Sequence, residues 1–474
     1  MYSKYKKIVI TAIILTFSLI SCKKFVEVDA PVTSTNSINV FSTDATAAAV
    51  LTGIYMDLSN NGASLSIVSG LSADEITPYG GASTSQANYL PVFLNTISPS
   101  QVGVADYCGS IYPIIYILNS SIEGLNRSNS LTPSVKQQLL GESYFMRAFY
   151  YFYLVNLYGD VPLAITTDYV TNRQLFRSPK VDVYHQIISD LKQSQTLLSN
   201  KYLKSDVLNS YTPGTEERVR PTAWAATALL ARTYLYTNDW KGAEAEASKV
   251  IENTSLFRLT TLNDTFLKNN IESIWQLQPV SSFYTNTNDG ALFIFPETGP
   301  NYLSLYLSDD VVSSFELGDQ RKVRWVQSIT ADGTTYFYPF KYKIGVGDNP
   351  VKEYTVVMRL AEQYLIRAEA RAQQGNIDGA VTDLNVIRNR AGLEGFPITN
   401  KVDLLSKILH ERQIEFFTEW GHRWFDLKRT GNIDQVMKIA STKKGGVWNS
   451  NMQLFPFNVY DLSTDPNLIQ NPGY

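Results

Sequence analysis

Residues 228–251 read ALLARTYLYTNDWKGAEAEASKVI, and residues 365–387 read LIRAEARAQQGNIDGAVTDLNVI. The two stretches align at a constant offset, so that Gly242-Ala243 matches Gly379-Ala380. Each begins with apolar residues at helical spacing, passes through a polar turn, and continues into a second helical segment with small residues every four positions. Small side chains at a helix crossing allow close approach. The repeat therefore predicts two helical hairpins of one type.

The order of helix, turn, Gly-Ala and helix is typical of a tetratricopeptide-type hairpin. Helical spacing also predicts helices over residues 44–58, 107–125, 135–158, 183–198 and 404–427. Two regions depart from this pattern, residues 59–104 and 272–357, which are loop-rich and include candidate short strands at 273–278 and 334–342. We therefore expect a mostly α fold of tetratricopeptide-like hairpins, packed with an irregular, loop-rich part that contains a few short strands. Long loops within a compact protein are usually functional or disordered.

The amino terminus predicts export and membrane attachment. Three lysines precede an uncharged, largely apolar run over 8–20, which ends in Leu19-Ile20-Ser21-Cys22. This is the pattern of a secretion signal, and the run is shorter than the roughly 20 residues that span a bilayer. Its end resembles a bacterial lipobox, which implies a lipoprotein signal peptide over 1–21 and lipidation of Cys22, although an ordinary signal peptide with an accidental Cys is the alternative. We expect a tether and docking segment over 22–40 and a single body over 41–474.

Composition excludes some classes of function. The formal net charge is −3, and removal of the three signal-peptide lysines takes it to about −6, a balance unsuited to nucleic-acid binding. Cys22 and Cys108 are the only cysteines, so a lipidated Cys22 leaves Cys108 as a free and, from its apolar neighbours, buried thiol. Aromatic residues make up 12% of the chain, including 29 Tyr. This excess of Tyr is typical of surfaces that bind amphipathic ligands.

Motifs for catalysis are missing from the sequence. The zinc motif His-Glu-x-x-His, the phosphate-binding loop and the Gly-x-Ser-x-Gly elbow do not occur, so we expect no enzyme activity, cofactor or metal. Two carboxylate pairs remain, Asp74-Glu75 and Glu411/Glu415. The second pair lies among arginines and favours an ion-pair network over an acid/base pair. The neighbouring Trp420-to-Trp424 segment favours core packing over a ligand box.

Four blocks, taken in chain order after the lipobox, carry a resemblance to a known family. They are RAFYYFYLVNLYGDVPL (147–163), RLAEQYLIRAEA (359–370), ERQIE with RWFDLKR (411–415, 423–429) and NLIQNPGY (467–474). Together they resemble the SusD/RagB-like proteins of Bacteroidetes. The resemblance implies an outer-membrane lipoprotein that faces the cell exterior, with a SusC-like TonB-dependent transporter as partner. It also implies that the irregular part of the fold is the ligand-binding part. It also implies capture of a nutrient, most often a glycan, and its delivery to that transporter.

The family blocks concern the fold, so candidate ligand residues are taken from the two irregular regions. Sugars have apolar C–H faces and hydroxyl rims, which are bound by aromatic platforms beside polar side chains. The first region offers Asp74, Tyr79, Asn88 and Tyr89, and the second offers Phe283, Tyr284, Asn288, Asp289, Phe295 and Tyr302. The alternative for each aromatic residue is that it pins its loop to the body.

The leading hypothesis is therefore a surface glycan-binding lipoprotein that captures oligo- or polysaccharide and passes it to a transporter. Alternatives are a helical-repeat scaffold that organises envelope proteins, and a binder of another nutrient such as peptides. A surface glycoside hydrolase that uses Asp74 and Glu75 ranks last.

Overall fold

A computed structural model describes Tyr2 and residues 40–474, apart from 282–284, 348–349 and 398–399. The helices are α1 Asp44–Asn61, α2 Ala63–Ser72, α3 Leu90–Phe93, α4 Tyr107–Arg127, α5 Pro133–Tyr158, α6 Tyr169–Asn172, α7 Lys180–Leu197, α8 Ala223–Tyr236, α9 Trp240–Glu252, α10 Asn288–Phe293, α11 Asp309–Ser314, α12 Gln320–Trp325, α13 Leu360–Gln373, α14 Ile377–Arg390, α15 Lys401–Glu415, α16 His422–Arg429, α17 Ile433–Lys444 and α18 Val459–Thr464. The strands are β1 Ile76–Pro78, β2 Val161–Pro162, β3 Arg177–Ser178, β4 Ser273–Leu277, β5 Leu305–Leu307, β6 Val326–Ala331, β7 Thr334–Pro339 and β8 Thr355–Arg359. They form antiparallel pairs: β1 with β5, β2 with β3, β4 with β8, and β6 with β7.

The long helices form a continuous array in which α4 packs on α5, α5 on α7, α7 on α8, and α8 on α9. Helix α9 then packs on α13, and α13 packs on α14 and α15. The two hairpins of the sequence repeat, α8–α9 and α13–α14, are therefore neighbours in space although more than a hundred residues separate them in the chain. The chain leaves the array after α9 and rejoins it at α13, which packs directly against α9.

The two repeat turns have the same geometry. Asp239 and Asn376 begin the second helix of each hairpin, with φ/ψ of −82/78° and −82/75°, and their side chains accept the backbone N–H of Gly242 and Gly379 at 2.9 and 3.0 Å. A Cβ on Gly242 would lie 2.8 Å from the ring of Tyr234, and one on Gly379 would lie 2.7 Å from Asn376. The glycines in the repeat are thus required by the close turn, which confirms the predicted hairpin type.

Helix α5 lies at the centre of the main core. Every residue from Phe145 to Tyr158 is buried, as expected for a helix that is apolar on all sides. Its one buried cation, Arg147, makes a bidentate pair with Asp190 of α7 at 2.8 Å. Glycine 159 ends the helix at φ 75°, where the sequence predicts the stop.

Two sequence predictions of the helices need correction. The predicted helix over 404–427 is broken after Glu415, because Thr418, Trp420 and Gly421 have positive φ values of 56°, 46° and 74°. This turn places the Trp420 ring in the main core, where its Nε1 donates to the carbonyl of Val356 at 2.8 Å. In addition, residues 63–72 form helix α2 rather than loop, because burial on almost all sides overrides the weak helix propensity of ASLSIVSGLS.

The carboxyl terminus is fixed by its last Asn. The Asn471 side chain donates to the carbonyls of Tyr158 and Phe455 at 3.0 and 2.8 Å, and accepts from Arg177 at 2.6 Å. The NLIQNPGY ending is thus tied to the end of α5. No helix among the described residues is both long and apolar enough to cross a membrane.

Candidate ligand-binding face

The two irregular regions meet through the pairing of β1 with β5. The register is Ile76 with Leu307, Thr77 with Tyr306, and Pro78 with Leu305. Beyond the strand, the Tyr79 N–H donates to the carbonyl of Ser304 at 2.9 Å. The first region of the sequence therefore lies directly beside the second, more than 200 residues later in the chain.

Four tyrosines gather at this junction, and we call them the tyrosine face: Tyr79, Tyr302, Tyr306 and Tyr336. The ring of Tyr336, on β7, packs edge-to-face against both Tyr79 and Tyr306, with ring centroids 5.5 and 5.2 Å apart. Tyr302 lies in the turn before β5 and is 62% exposed. Rings held at fixed angles and partly exposed provide apolar platforms for the C–H faces of a ligand.

Polar groups border the tyrosine face. Asn301 and Asp309 are exposed, and Thr77 lies opposite Tyr306 in the strand register. Partial burial, followed by the influence of Tyr336 and Asp309, raises the pKa of Tyr306, so its hydroxyl remains a neutral hydrogen-bond donor. The arrangement combines apolar rings with hydroxyl, amide and carboxylate groups, as recognition of a polyhydroxylated ligand requires.

Tyr79 and Tyr302 were candidates from the sequence, whereas Tyr306 and Tyr336 were missed. In β5 the pattern Leu305-Tyr306-Leu307 alternates, with both leucines buried and the tyrosine turned outwards. That alternation is the signal that predicts an outward Tyr306. The position of Tyr336 depends on contact between β7 and β5, which no local pattern indicates.

Two other candidates have side chains engaged by partners within the protein. Asp74 is buried and paired bidentately with Arg423 at 2.8 and 2.7 Å. Burial acts to raise its pKa, but the Arg423 guanidinium prevails and lowers it. Asn288 donates to the carbonyls of Ser59 and Asn60 at 3.1 and 2.8 Å.

The remaining candidates divide between interior and surface. Phe295 is buried and stacked on Tyr338, with centroids 4.6 Å apart, so it pins its loop to the body. Asp289 is also buried, and burial raises its pKa to about 7. Asn88 is exposed and Tyr89 is half-buried against the main core. Cys22, Phe283 and Tyr284 lie outside the described residues.

A buried ion-pair network lies behind the broken α15–α16 turn, which confirms the structural interpretation of Glu411 and Glu415. Arg359 contacts Glu415 at 2.5 Å, Glu419 at 2.9 Å and Glu272 at 3.3 Å. Arg321 adds contacts to Glu411 and Glu415 at 2.6 and 3.0 Å. All these side chains are at most 9% exposed. The carboxylates are therefore neutralised by arginines and hold the turn to strand β8.

The other carboxylate pair, Asp74-Glu75, is equally inaccessible. Glu75 is 2% exposed, and burial together with the Asp74 charge raises its pKa to about 8. Because Asp74 is engaged by Arg423, the pair does not form an acid/base site that a glycan reaches. The described part of the chain holds no group of three or more His, Cys, Asp or Glu side chains arranged to bind a metal ion. Cys108 is a buried free thiol, as expected, and burial raises its pKa well above the usual value.

The fold and the tyrosine face together define a class: a helical-repeat scaffold that presents partly exposed aromatic residues on irregular inserts. Two family models match the chain, one described as the SusD family over residues 321–474 and one described as starch-binding associating with outer membrane over residues 24–235. The chain belongs to the SusD/RagB-like family. Association with the outer membrane is part of the description of that family.

Individual relatives agree with this assignment. A SusD-like protein from Formosa agariphila is 26% identical over 99% of this chain and 100% of its own length. The starch-binding protein SusD from Bacteroides thetaiotaomicron is 36% identical, but over only 25% of this chain and 21% of its own. A solved laminarin-binding SusD-like protein, 23% identical, superposes with a TM-score of 0.74 over 90% of this chain and 99% of its own. This last likeness shows a shared fold.

Proposed function

We propose that the protein is a cell-surface lipoprotein that captures an oligo- or polysaccharide on the tyrosine face and passes it to a SusC-like TonB-dependent transporter. The observation that carries the proposal is the packing of Tyr79 and Tyr306 against Tyr336 at the junction of two distant regions. The starch-binding and laminarin-binding relatives support a glycan as the ligand class. The inaccessible carboxylate pairs support binding without catalysis.

Attachment through a lipid on Cys22 completes the proposal. A tether places the binding protein and the transporter at high effective concentration, so a captured glycan is transferred without free diffusion. The acyl chains of a lipoprotein supply membrane affinity without a spanning helix. The acidic balance of the chain is in keeping with a partner other than nucleic acid.

The ligand class is tested by calorimetry of the full-length protein, purified in detergent, against neutral polysaccharides including starch and laminarin. Tyr306→Ala and Tyr336→Ala should each weaken binding of the recognised glycan. Tyr169→Ala is the matched control, because Tyr169 is 72% exposed on α6, outside the tyrosine face. Unchanged binding in both variants would refute the site, and binding of peptides with no glycan would refute the ligand class. Shortening of the bound glycan during incubation would refute the absence of catalysis.

The anchor and the partner are tested in the native membrane. Cys22→Ser should abolish incorporation of labelled fatty acid, and the wild-type protein in intact cells should be digested by added protease. Co-purification should recover a TonB-dependent barrel. Recovery of an envelope assembly complex in its place would favour the scaffold hypothesis.

A further inference from the structure

A cavity of about 540 Å³, separate from the tyrosine face, lies between the α1–α2 junction and helices α4 and α5. None of the four tyrosines of the tyrosine face lines it. Its volume falls within the range of about 300–1,000 Å³ that small-ligand pockets occupy. The deep wall is made by residues of α5 and by Trp420, and the mouth by exposed residues of α1 and α4.

The floor of the cavity is aromatic and tightly packed. Phe149 lies at the centre, with ring centroids 5.8 Å from Tyr150, 4.9 Å from Tyr153 and 5.9 Å from Trp420. All four side chains are at most 5% exposed. A Cβ at Gly62 would lie 2.9 Å from the Trp420 ring, so glycine at the α1–α2 junction allows this ring to reach the floor. Mutual packing fixes the rings before any ligand arrives.

The floor includes a polar group in need of a partner, the hydroxyl of Tyr150. The Tyr150 hydroxyl is buried and makes no hydrogen bond to any described residue. Burial, with Asp57 as the second influence, raises the pKa of Tyr150, so the hydroxyl is neutral and available as donor and acceptor. A buried hydroxyl without a partner costs about 1–3 kcal/mol, and such a group in a native structure calls for an explanation. A ligand hydroxyl bound in the cavity would provide one.

The rim provides polar groups that are neutral or negatively charged. Asp57 and Asp106 contribute carboxylates, Asn61 an amide, and Ser64 and Ser110 hydroxyls. Asp57 already accepts from Asn61 at 2.9 Å, and Asp106 accepts from the Gly109 N–H at 2.9 Å. The lining residues include no Lys, Arg or His. This set of groups accepts hydrogen bonds from hydroxyls and disfavours anionic ligands.

We propose that this cavity binds a single neutral sugar ring, with its apolar face on the aromatic floor and its hydroxyls on Tyr150 and the acidic rim. The inference extends the proposed glycan-binding function to a second site, and it rests on that function for the class of ligand. The tyrosine face, as an open surface, suits a chain of sugar units. The cavity, with its limited volume of about 540 Å³, suits one unit, free or at the end of a chain.

Saturation-transfer NMR with methyl glycosides of neutral hexoses and pentoses tests the cavity on the full-length protein. Tyr150→Phe should weaken binding about three- to tenfold, the loss of one neutral hydrogen bond. The same variant should be as stable as the wild type or more stable, because it removes an unpartnered buried hydroxyl. This combination separates a binding role from a structural one.

A second variant closes the mouth without touching the floor. Ser110 is exposed on α4 and its hydroxyl bonds only to backbone carbonyls of its own helix turn, so Ser110→Trp should fold and abolish sugar binding. Asn126→Trp, exposed at the far end of α4, is the matched control and should bind as the wild type does. Both variants should retain polysaccharide binding at the tyrosine face.

The outcomes are distinguishable from those that test the proposed function. Polysaccharide binding with no transfer to any methyl glycoside overturns the cavity proposal alone. The cavity proposal is also overturned if saturation transfer to a methyl glycoside persists in Ser110→Trp. Binding of an organic cation such as choline in place of sugars overturns the ligand class. A further outcome is that the wild type binds methyl glycosides but no polysaccharide, and that Ser110→Trp loses the methyl glycoside binding. This would overturn the proposed role of the tyrosine face and support the proposed role of the cavity.

Discussion

The helical array and the irregular inserts differ in how far each is organised by local sequence. In the array, the same turn geometry recurs at Asp239 and Asn376, and neighbouring helices meet through small residues of a repeated pattern. In the inserts, the tyrosine face forms only where Tyr79 meets Tyr306 and Tyr336, from segments far apart in the chain. The comparison teaches that the scaffold follows from a repeated local pattern, whereas the tyrosine face depends on contacts between distant segments.

The largest expected effect comes from disrupting the buried ion-pair network at the boundary between the helical array and the irregular inserts. Glu415, at the end of α15, pairs with Arg321, Arg359 and Arg390. Glu415→Ala leaves these buried guanidinium groups without that partner, and should lower the free energy of unfolding by about 3–5 kcal/mol. Urea denaturation measures the loss.

The control for that variant is an exposed pair on α4. Arg127 is paired with Glu123, and its side chain is 75% exposed. Arg127→Ala should lower the free energy of unfolding by no more than about 1 kcal/mol. Equal losses of unfolding free energy in the two variants would show that the buried network does not hold the inserts to the helical array.

A pH-dependent effect is expected directly beneath the tyrosine face. Glu75, next to β1, has its pKa raised to about 8 by burial and by Asp74, against opposing influences from Arg423 and Lys341. Between about pH 5 and 8 the Glu75 carboxyl keeps its proton in the folded state and has lost it in the unfolded state. Its contribution therefore lowers the free energy of unfolding as the pH rises.

Glu75→Gln removes this titration. The stability of the variant relative to the wild type should therefore increase by about 1–3 kcal/mol between pH 5 and 8. Denaturation curves across this range measure the change. Glu297→Gln, at an exposed position, is the control and should show no such trend. A constant difference between Glu75→Gln and the wild type would contradict the expectation.

Within the array, the repeat turns should give smaller and matched effects. Asp239→Ala and Asn376→Ala each remove a side chain that accepts the N–H of the glycine three residues later. Each should lower the free energy of unfolding by about 0.5–2 kcal/mol, the usual cost of a lost helix cap. Thermal unfolding checks whether the two losses agree. A loss at one turn alone would show that the two repeat turns do not contribute equally to stability.

The smallest effect on stability is expected on the tyrosine face itself. Tyr302 is 62% exposed, so Tyr302→Ala should leave the melting temperature within error of the wild type. It should nonetheless weaken glycan binding about three- to tenfold, since aromatic contacts contribute about 0.5–1.5 kcal/mol. Calorimetry measures the binding. A large fall in melting temperature would instead show that Tyr302 pins its loop to the body.

Much of the fold could be predicted because its signals are local. Helical spacing and the stop at Gly159 gave the bounds of α4, α5 and α7 to within a few residues. The break after Glu415 could not be predicted, since the turn is stabilised by contacts to Arg359 and Lys341, whose segments are distant in the chain. For the same reason, the sequence did not reveal that Asp74 forms an ion pair with Arg423.

The sequence by itself determined the helical-hairpin scaffold, the family and the two regions that hold the candidate site. These follow from periodicity, capping residues and ordered motifs, all of which act over short distances. Only the tertiary structure decided which aromatic residues are exposed, which carboxylates are neutralised, and where a cavity remains between α1, α4 and α5. Those properties depend on pairings between distant segments, because burial and electrostatic partners are set by what packs against a residue rather than by its neighbours in the chain.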